Sequence, residues 1–389
     1  MIKRCVKCGM ANTRPRLEFD SEGVCGACRH WERKDKIDWE NRKQELMKIC
    51  DKFRSDGTKY DCVIPVSGGK DSSYVAWKMK HEFNMHPLCV TFASNGPSTE
   101  IGLKNLNNFI KSGFDHILIS PNEKIRREFV KRTTEGFGDP FLVFVYGQYA
   151  APLRIAVNYD IPLVVYGEDG EAEYGGTRDY SNSATFDEKF MTKYLLTGQQ
   201  LEKWTDGKIK IDDLRPYIIP TDKEMKNHNI YLTHYSYFDN WQPNKNYKLA
   251  REKCGFEPKE GRSEGTYTNF ASLDDRVDGF HYWFMFLKFG FCRATSDAAH
   301  EVREGIISRE EAIKLIQKYD GEFPWEYFDY YLDYINITED EFWEIAKKYV
   351  NEDIWKPIGN NKWKLMDDEV DKILEIPMEK NVITEMAEN

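Results

Sequence analysis

The sequence predicts an α/β fold in which a parallel sheet carries helices on both faces, with a small cysteine-rich module before it and a mostly helical region after it. Short apolar runs alternate with amphipathic stretches from about residue 41 to 240. Four cysteines cluster within the first 28 residues, and helical patterns rich in aromatic and charged residues dominate from about 241 onward. Because parallel strands need long crossover connections, usually helices, this alternation is typical of a sheet covered on both faces.

The length and composition limit what the chain does. Its 389 residues suit two or three domains, and we expect them at 1–40, 41–240 and 241–389. A hydrophobic fraction of 41% excludes wholesale disorder. The net charge of −10, from 55 basic and 65 acidic residues, argues against a general nucleic-acid-binding protein. We find no signal-peptide pattern and no apolar run near the roughly 18 residues of a membrane span, and therefore expect a cytoplasmic protein without membrane contact.

The cysteine cluster consists of two CxxC knuckles separated by 16 residues. The first knuckle contains Cys5 and Cys8, and the second contains Cys25 and Cys28. This spacing predicts a structural Zn²⁺ site, because four thiolates complete the tetrahedron and leave no position for water. Disulfides, which a cytosolic setting disfavours, and an iron–sulfur cluster are the alternatives. The remaining cysteines are scattered and are expected to be reduced core residues: Cys50, Cys62, Cys89, Cys254 and Cys292.

The central region is expected to form four strands, at 61–66, 86–92, 116–119 and 161–166. Helices are expected to follow the first two strands, at 73–83 and 101–112. In the helical region, Ser308 and Thr338 each stand three residues before a glutamate and are expected to open helices with capping boxes. The last dozen residues are expected to fray.

A glycine-rich loop directly follows the first predicted strand and precedes a helix. It reads Ser67-Gly68-Gly69-Lys70-Asp71-Ser72. The glycines let backbone N–H groups face an anion, and the positive end of the helix dipole lies at the same place. Lys70 adds a cation, the serines add hydroxyl donors, and Asp71 is a suitable Mg²⁺ ligand beside phosphates. The loop therefore predicts a nucleotide-phosphate site with Lys70 and Asp71 as catalytic candidates; a glycine-rich turn without a ligand is the alternative.

This loop is not a Walker A motif, because Asp71 follows Lys70 and Ile64 stands where that motif has its first glycine. It resembles the PP-loop of N-type ATP pyrophosphatases, which split ATP into AMP and pyrophosphate. Relatives of those enzymes include asparagine synthetase, GMP synthetase and tRNA-thiolating enzymes. The resemblance implies a HUP-like α/β domain that binds ATP.

A second candidate segment follows the fourth predicted strand. It begins Gly167-Glu168-Asp169-Gly170 and continues through Glu171 and Glu173 to Gly176. Because the carboxyl ends of parallel strands meet at one edge of the sheet, these acids are expected at the same rim as Asp71. There Glu168 and Asp169 would hold Mg²⁺ or transfer a proton, and Gly167 would contact ATP. A solvated acidic turn is the alternative.

A distinctive C-terminal stretch makes the resemblance more specific. It runs Lys288-Phe289-Gly290-Phe291-Cys292-Arg293-Ala294-Thr295-Ser296-Asp297, then Glu301-Val302-Arg303-Glu304-Gly305, and continues from Arg309-Glu310-Glu311-Ala312 to Tyr319-Asp320-Gly321. Together with the cysteine knuckles, the 67–72 loop and the 167–176 segment, it resembles the N-acetyl sugar amidotransferases of WbpG and PseA type, which act in surface-polysaccharide and flagellin-glycan pathways. The resemblance covers nearly the whole chain.

The resemblance implies an ATP-dependent, AMP-forming C–N ligase that acts on the acetamido group of a sugar. The sugar would be a nucleotide-linked uronic acid or a nonulosonic, sialic acid-like sugar. Attack of the amide oxygen on the α-phosphate would give an adenylylated imidate and pyrophosphate, and ammonia would displace AMP to leave an acetamidino group. The 67–72 loop would stabilise the departing pyrophosphate, with Lys70 and a Mg²⁺ on Asp71 neutralising the remaining charge.

The arginines of the C-terminal stretch are candidates for binding the sugar. Arg293 and Arg303, with Asp297, are expected to contact the sugar, the arginines through its carboxylate or a nucleotide phosphate. Arg309 is a weaker candidate because it stands in an ordinary capped helix. The alternative is that these arginines lie on the surface and pair with nearby glutamates at helical spacing.

The source of ammonia separates this chain from self-contained amidotransferases. No cysteine shows the context of a glutaminase nucleophile, so the resemblance implies a separate glutaminase subunit as partner. A tRNA-thiolating enzyme is one alternative function, although the negative net charge and the lack of a further CxxC disfavour it. A non-catalytic ATP-binding assembly protein is the other, in which the loop binds ATP without turning it over.

Overall fold

The computed structural model describes residues 1–94, 96, 98–176 and 183–377, and the predicted fraying of the last dozen residues lies outside these ranges. The strands are β1 (Cys62–Pro65), β2 (Pro87–Phe92), β3 (Asp115–Ile119), β4 (Leu163–Tyr166), β5 (Tyr231–His234), β6 (Trp355–Gly359), β7 (Lys362–Leu365) and β8 (Ile373–Glu375).

The α-helices are α1 (Gly26–Lys34), α2 (Trp39–Phe53), α3 (Lys70–His81), α4 (Glu100–Lys111), α5 (Glu123–Phe137), α6 (Leu142–Tyr159), α7 (Gly170–Glu173), α8 (Glu188–Phe190), α9 (Asp222–Asn227), α10 (Pro243–Cys254), α11 (Asp278–Phe289), α12 (Arg293–Arg303), α13 (Arg309–Tyr319), α14 (Phe328–Ile335) and α15 (Glu339–Lys347). A π-helical turn spans Met191–Leu195, and 3₁₀ turns span Leu201–Trp204, Ile211–Tyr217, Tyr235–Tyr237 and Trp325–Tyr327.

The central sheet has five strands in the order β3-β2-β1-β4-β5, and every pairing is parallel. The predicted fold class is therefore confirmed. From β1 the chain builds outward through β2 and β3, and it then returns to the other side of β1 with β4. The order reverses between β1 and β4, and ligands of open α/β sheets bind beyond the carboxyl ends of the strands at such a reversal. The glycine-rich loop follows β1 and the acidic segment follows β4, so both candidates meet there.

Alternate residues of the strands pack into separate cores on the two faces of the sheet. Val63 and Val164 share one buried cluster with residues of α6. Ile64 and Val165 share a second cluster with residues of α3. Because successive side chains of a strand point to opposite faces, strands buried on both sides read as continuous apolar runs. This is the pattern from which the sheet was predicted.

The glycine-rich loop is shorter than its sequence indicates, because α3 begins at Lys70 rather than near 73. Gly69 is its N-cap, with φ −70° and ψ 164°. Lys70 and Asp71 therefore occupy the first helical turn, where backbone N–H groups have no intrahelical partners and favour an anion. The capping boxes predicted at Ser308 and Thr338 are confirmed at the starts of α13 and α15.

The region after 241 contains helices α10 to α15, as predicted, and also a small sheet that the sequence did not reveal. Strands β6, β7 and β8 pair in antiparallel order. This end of the chain packs against the cysteine module: the N–H of Ile2 donates to the carbonyl of Met366 at 2.7 Å. Arg4 and Asp367 form an ion pair at 2.7 Å with both side chains fully buried. The boundaries of the three domains remain predictions. Within the described residues, no helix combines the length and apolarity that crossing a membrane requires.

Candidate active site and cysteine site

A cavity of about 510 Å³ lies at the reversal between β1 and β4. Among its lining residues are Ser67, Gly69, Lys70, Asp71 and Ser72 from the loop after β1, Gly167 and Glu168 from the loop after β4, and Arg293 from α12. The structure thus brings most of the predicted ATP-binding and catalytic residues to one space, and it adds one arginine from the helical region. A pocket of this size suits a nucleotide-sized ligand.

Gly68 packs the loop against the neighbouring helix α4. Its φ is +83°, and a Cβ there would lie 2.5 Å from the backbone N and Cα of Leu106. Only glycine fits both the dihedral angle and the close approach. The serines brace the loop from within: the N–H of Gly69 donates to Ser67 Oγ at 3.2 Å, and the N–H of Ser67 donates to Ser72 Oγ at 3.3 Å. Gly68 therefore shapes the loop without lining the cavity.

Lys70 and Asp71 form an ion pair at the start of α3. Asp71 Oδ1 also accepts a hydrogen bond of 2.9 Å from Nδ2 of Asn246, which is fully buried in α10. The side chain of Asp71 remains 28% exposed, so its carboxylate is accessible from the cavity. A carboxylate fixed by a buried donor and open on one side is suited to bind a cation that also contacts phosphate.

Glu168 is a partly buried acid on the cavity wall. Burial raises the pKa of Glu168 to about 7, with a contribution from the neighbouring Asp71, while Lys70 opposes the rise. A carboxyl that titrates near neutral pH is suited to general acid–base work. Asp169 has a different position: its side chain accepts from the N–H of Glu171 at 3.0 Å and caps α7. Burial also raises the pKa of Asp169 to about 7, but this residue does not line the cavity.

The sequence reasoning missed the segment before α11, which covers the glycine-rich loop. Asp274 and Asp278 line the cavity, and burial raises the pKa of Asp274 to about 6, with Ser67 and Lys70 opposing the rise. The carbonyl of Asp274 accepts from the N–H of Thr99 at 3.1 Å, which joins the segment to the start of α4. The sequence signal that could have indicated this segment is a set of three aspartates within five residues, at the start of an aromatic-rich helix.

Arg293 is held on the cavity wall by two partners. Its Nε lies 2.9 Å from Asp297 Oδ1, and its Nη1 donates to the Tyr282 hydroxyl at 2.9 Å. Asp297 accepts in turn from the hydroxyl of Thr266 at 2.6 Å, and it positions Arg293 rather than lining the cavity. An arginine fixed in this way presents a pre-organised donor surface to an anionic group.

Arg303 and Arg309 lie elsewhere. Arg303 is buried, and its Nη2 donates to the carbonyl of Glu173 at 3.3 Å. Burial would lower its pKa, but the nearby Cys8, Cys28 and Cys25 raise it above its ordinary value. Arg309 Nε donates to the carbonyl of Cys5 at 3.0 Å. Arg303 does not line the cavity, and its contact with a substrate remains a prediction.

The four cysteines of the knuckles converge on one buried point. Their sulfur atoms all lie within 4.8 Å of one another, with Cys5 and Cys28 at 3.8 Å and Cys8 and Cys25 at 3.6 Å. A tetrahedral zinc with Zn–S bonds of roughly 2.3 Å needs sulfur separations of about 3.8 Å. The sulfurs thus fit a single ion, whereas a four-iron cluster would hold each sulfur on a different iron and separate them further.

The side chains around the glycine-rich loop also fit a Mg²⁺ ion that binds together with a phosphate ligand. Among the residues that the structure describes, the knuckle cysteines form the sole group of three or more metal-binding side chains close enough to share an ion. Mg²⁺ typically takes one or two carboxylates and completes its shell with phosphate oxygens and water. Asp71 therefore fits as its protein ligand.

The other five cysteines are buried thiols. Burial raises the pKa of Cys50 to about 12 and that of Cys254 to about 11. Cys292 donates to Asp320 at 3.2 Å. Thiols in such settings are poor nucleophiles, as expected for core residues.

Residues 264–368 match the family model described as "LPS biosynthesis protein WbpG-like, C-terminal domain". This match supports the resemblance to the WbpG family for the region that contributes Arg293 to the cavity. An uncharacterized protein of Methanocaldococcus jannaschii, MJ1599, is 30% identical over 80 residues, which are 21% of this chain and 28% of that relative. The chain thus spans less than a third of the length of this curated relative.

Two solved structures are similar to the chain at a low level. The NMN synthetase from Francisella tularensis aligns with a TM-score of 0.26 and 14% identity, over 56% of this chain and 96% of that one. The U34-tRNA thiolase NcsA from Methanococcus maripaludis, solved with its [4Fe-4S] cluster, aligns with a TM-score of 0.27 and 11% identity, over 79% of this chain and 87% of that one. Similarity this weak carries no information about activity or ligands.

Proposed function

We propose that the protein is an ATP-dependent, AMP-forming amidotransferase that converts the acetamido group of a sugar into an acetamidino group. One observation carries the proposal: the glycine-rich loop after β1 and the region that matches the WbpG-like domain line the same cavity. The loop contributes Lys70, and the matched region contributes Arg293. The loop proposed to bind the nucleotide phosphates and the region that matches the WbpG-like domain thus face the same space. The knuckle cysteines would hold a structural Zn²⁺.

The first half-reaction activates the amide oxygen, which is otherwise a poor leaving group. The oxygen attacks the α-phosphorus of ATP, and the bond to pyrophosphate breaks. The backbone N–H groups at the start of α3 and the Lys70 ammonium face the departing pyrophosphate and stabilise its charge. Mg²⁺, bound through Asp71, would supply further charge neutralisation to the phosphates. Glu168, with a pKa near neutrality, accepts the proton that the amide nitrogen loses.

The second half-reaction replaces the activated oxygen by nitrogen. Neutral ammonia attacks the imidate carbon, and AMP leaves with the former amide oxygen. The product is an amidinium, cationic at neutral pH, and it forms beside Glu168 and Asp274. In their ionised forms these carboxylates stabilise the positive charge as it develops.

Sugar recognition is assigned to the Arg293 side of the cavity. Nucleotide-linked uronic acids and nonulosonic acids both carry a carboxylate, which the guanidinium would bind. Tyr282 holds that guanidinium at 2.9 Å. Ammonia would come from a separate glutaminase subunit, since the cysteines outside the knuckles are buried thiols.

The proposal is tested by supplying ATP, Mg²⁺ and ammonium chloride with a panel of N-acetylated nucleotide sugars and nonulosonic acids. AMP and pyrophosphate release that depends on one sugar is expected, with a product about one dalton lighter than the substrate, because oxygen is replaced by NH. Release that appears only when tRNA is added would favour thiolation. ATP binding without turnover across the panel would favour an assembly role.

A further inference from the structure

Four buried polar atoms at the C-terminal end of α12 have no hydrogen-bond partner among the residues that the structure describes. They are both ring nitrogens of His300, Nη1 of Arg303 and Oε1 of Glu304. His300 is 6% exposed and Arg303 is 9% exposed. Buried polar groups are nearly always hydrogen-bonded, because leaving one unsatisfied costs about 1–3 kcal/mol. An unpartnered group of this kind therefore points to a small polar ligand.

These atoms belong to one group of residues, which we call the inner polar site: Tyr174, His300, Arg303 and Glu304. His300, Arg303 and Glu304 lie together at the C-terminal end of α12. The Tyr174 ring packs edge-on against the His300 ring, with 4.6 Å between centroids. Glu304 Oε2 accepts from Asn244 Nδ2 at 3.0 Å. Glu304 and Asn244 are partly exposed, whereas His300 is buried, so the site runs inward from the surface.

The inner polar site packs against the segment that follows β4 and does not line the cavity. Glu168 and Asp71 both act electrostatically on Tyr174, and Lys70 acts on His300 and on Glu304. The ring contact between Tyr174 and His300 joins the site to the segment that begins at Gly167 and carries Glu168. The site has no role in binding the nucleotide or in the transfer steps assigned above.

The inner polar site suits a small neutral molecule with both hydrogen-bond donors and a lone pair, a description that ammonia fits. A neutral imidazole offers one acceptor and one donor, Glu304 offers an acceptor and Arg303 a donor. Burial keeps the His300 imidazole neutral by lowering its pKa, and the cations Arg303, Lys34, Lys70 and Arg293 lower it further. The adjacent Arg303 cation disfavours ammonium relative to ammonia at His300, because like charges repel strongly in a buried setting.

We propose that the inner polar site binds ammonia and delivers it to the cavity beside Glu168. This inference rests on the proposed amidotransferase function. Ammonium loses one proton to the Glu304 carboxylate at the mouth of the site, and Glu304 returns that proton to solvent. The ammonia nitrogen then attacks the imidate carbon, the carbon–oxygen bond to AMP breaks, and AMP keeps the electron pair. The amidinium product retains all three ammonia protons, one of them on the original amide nitrogen.

The kinetic test compares His300→Leu and His300→Gln with wild type, using the sugar that supports AMP release. His300→Leu is expected to raise the KM for ammonium by about tenfold, because the variant loses one buried hydrogen bond to the bound ammonia. The KM for ATP is expected to stay unchanged. His300→Gln keeps a donor and an acceptor and is expected to lie nearer to wild type. His234→Leu is the matched control, because His234 is also buried among aromatic rings but lies on β5 outside the inner polar site.

A second measurement records binding to wild-type protein without ATP or sugar, so it does not depend on the activity of any variant. The ¹⁵N resonances of the His300 ring, assigned by their loss in His300→Gln, are expected to shift when ammonium chloride is added at pH 8.5. Sodium chloride at the same concentration is expected to leave them in place.

The outcomes separate the inference from the function on which it rests. An unchanged KM for ammonium in His300→Leu, or no ammonium-specific shift, overturns the inference and means that the site binds only water. If wild type still incorporates ¹⁵N from labelled ammonium in that case, the proposed function stands. A specific shift without ¹⁵N incorporation for any sugar would instead support an ammonia site and reject the amidotransferase function.

Discussion

The buried side chain of Asn246 donates to Asp71 at 2.9 Å across 175 residues of sequence. Asn246 lies in the first half of α10, in the region after the predicted second boundary, whereas Asp71 lies in the first turn of α3. The hydrogen bond fixes one carboxylate oxygen and leaves the side chain partly exposed to the cavity. The helical region thus orients the carboxylate that would hold Mg²⁺.

Asp71→Asn is expected to reduce sugar-dependent pyrophosphate release by about two to three orders of magnitude, because the amide lacks the charge that binds Mg²⁺. Asn246→Ala is expected to cause a smaller loss, since Asp71 keeps its charge but loses its buried donor. Asp51→Asn is a suitable control, because Asp51 is 63% exposed and forms a surface pair with Arg54. Equal activity of Asp71→Asn and the control would contradict the assignment.

Gly68→Ala is expected to abolish ATP binding, because it displaces the backbone of the glycine-rich loop. The added Cβ would lie 2.5 Å from Leu106 at a φ of +83°, so the loop must leave its position against α4. Gly57→Ala provides a matched control, because its φ is +90° and no atom lies within 4 Å of the added Cβ. Both variants have a dihedral cost of about 1–2 kcal/mol, and only the first has the clash. Calorimetric titration with ATP measures the difference; similar affinities in the two variants would show that the close packing is unimportant.

Glu168→Gln is expected to change the pH dependence of stability. The folded state raises the pKa of Glu168 to about 7, so its contribution to stability is fully present below the unfolded pKa near 4.5 and is lost as pH rises through 7. Wild type is therefore expected to lose stability between pH 5 and pH 8, and Glu168→Gln to lose less. Melting temperatures at both pH values test this. An identical loss in the variant would mean that Glu168 ionises normally.

Arg293→Lys is expected to raise the KM for the sugar by about tenfold or more and to leave the KM for ATP nearly unchanged. Lysine keeps the charge but cannot reproduce the planar set of donors that pairs with a carboxylate and with Tyr282. Arg309→Lys serves as control, because Arg309 contacts the carbonyl of Cys5 and Glu369 instead. A rise in the KM for ATP alone would assign Arg293 to the nucleotide.

Cys8→Ser is expected to remove about one equivalent of bound zinc and to lower the melting temperature, because three thiolates no longer complete the tetrahedron. Elemental analysis and thermal unfolding measure both effects. Cys50→Ser is the control, since Cys50 is a buried thiol outside the knuckles. Iron with acid-labile sulfide in wild type, in place of zinc, would contradict the assignment of the metal.

The sequence was sufficient for four of the five strands of the central sheet, because their signals are local, but it did not reveal the edge strand β5. Val63 and Ile64 belong to one apolar run, and the glycines after it leave few conformations other than a tight turn into a helix. The cysteine knuckles were equally readable, since ligand spacing alone determines which sulfurs can share an ion. The sulfur atoms converge as that spacing requires.

The remaining features depend on long-range packing. Asn246 and Asp274 reach the loop from more than 170 residues away, and neither is marked by a local pattern for phosphate chemistry. Arg303 was expected to contact the substrate from its place in the C-terminal stretch. Packing of α12 turns Arg303 toward the carbonyl of Glu173 and toward the cysteine module, and no spacing rule encodes these contacts.

The proposed function requires that the oxygen of an acetamido group is adenylylated. It is tested most directly with the sugar that supports turnover, labelled with ¹⁸O at the acetamido oxygen, in the presence of ATP and ammonium. The label is expected to appear in AMP, which would be two daltons heavier, and to be absent from the sugar product. Label that remains in the sugar, or AMP that carries oxygen from solvent water, would contradict the account.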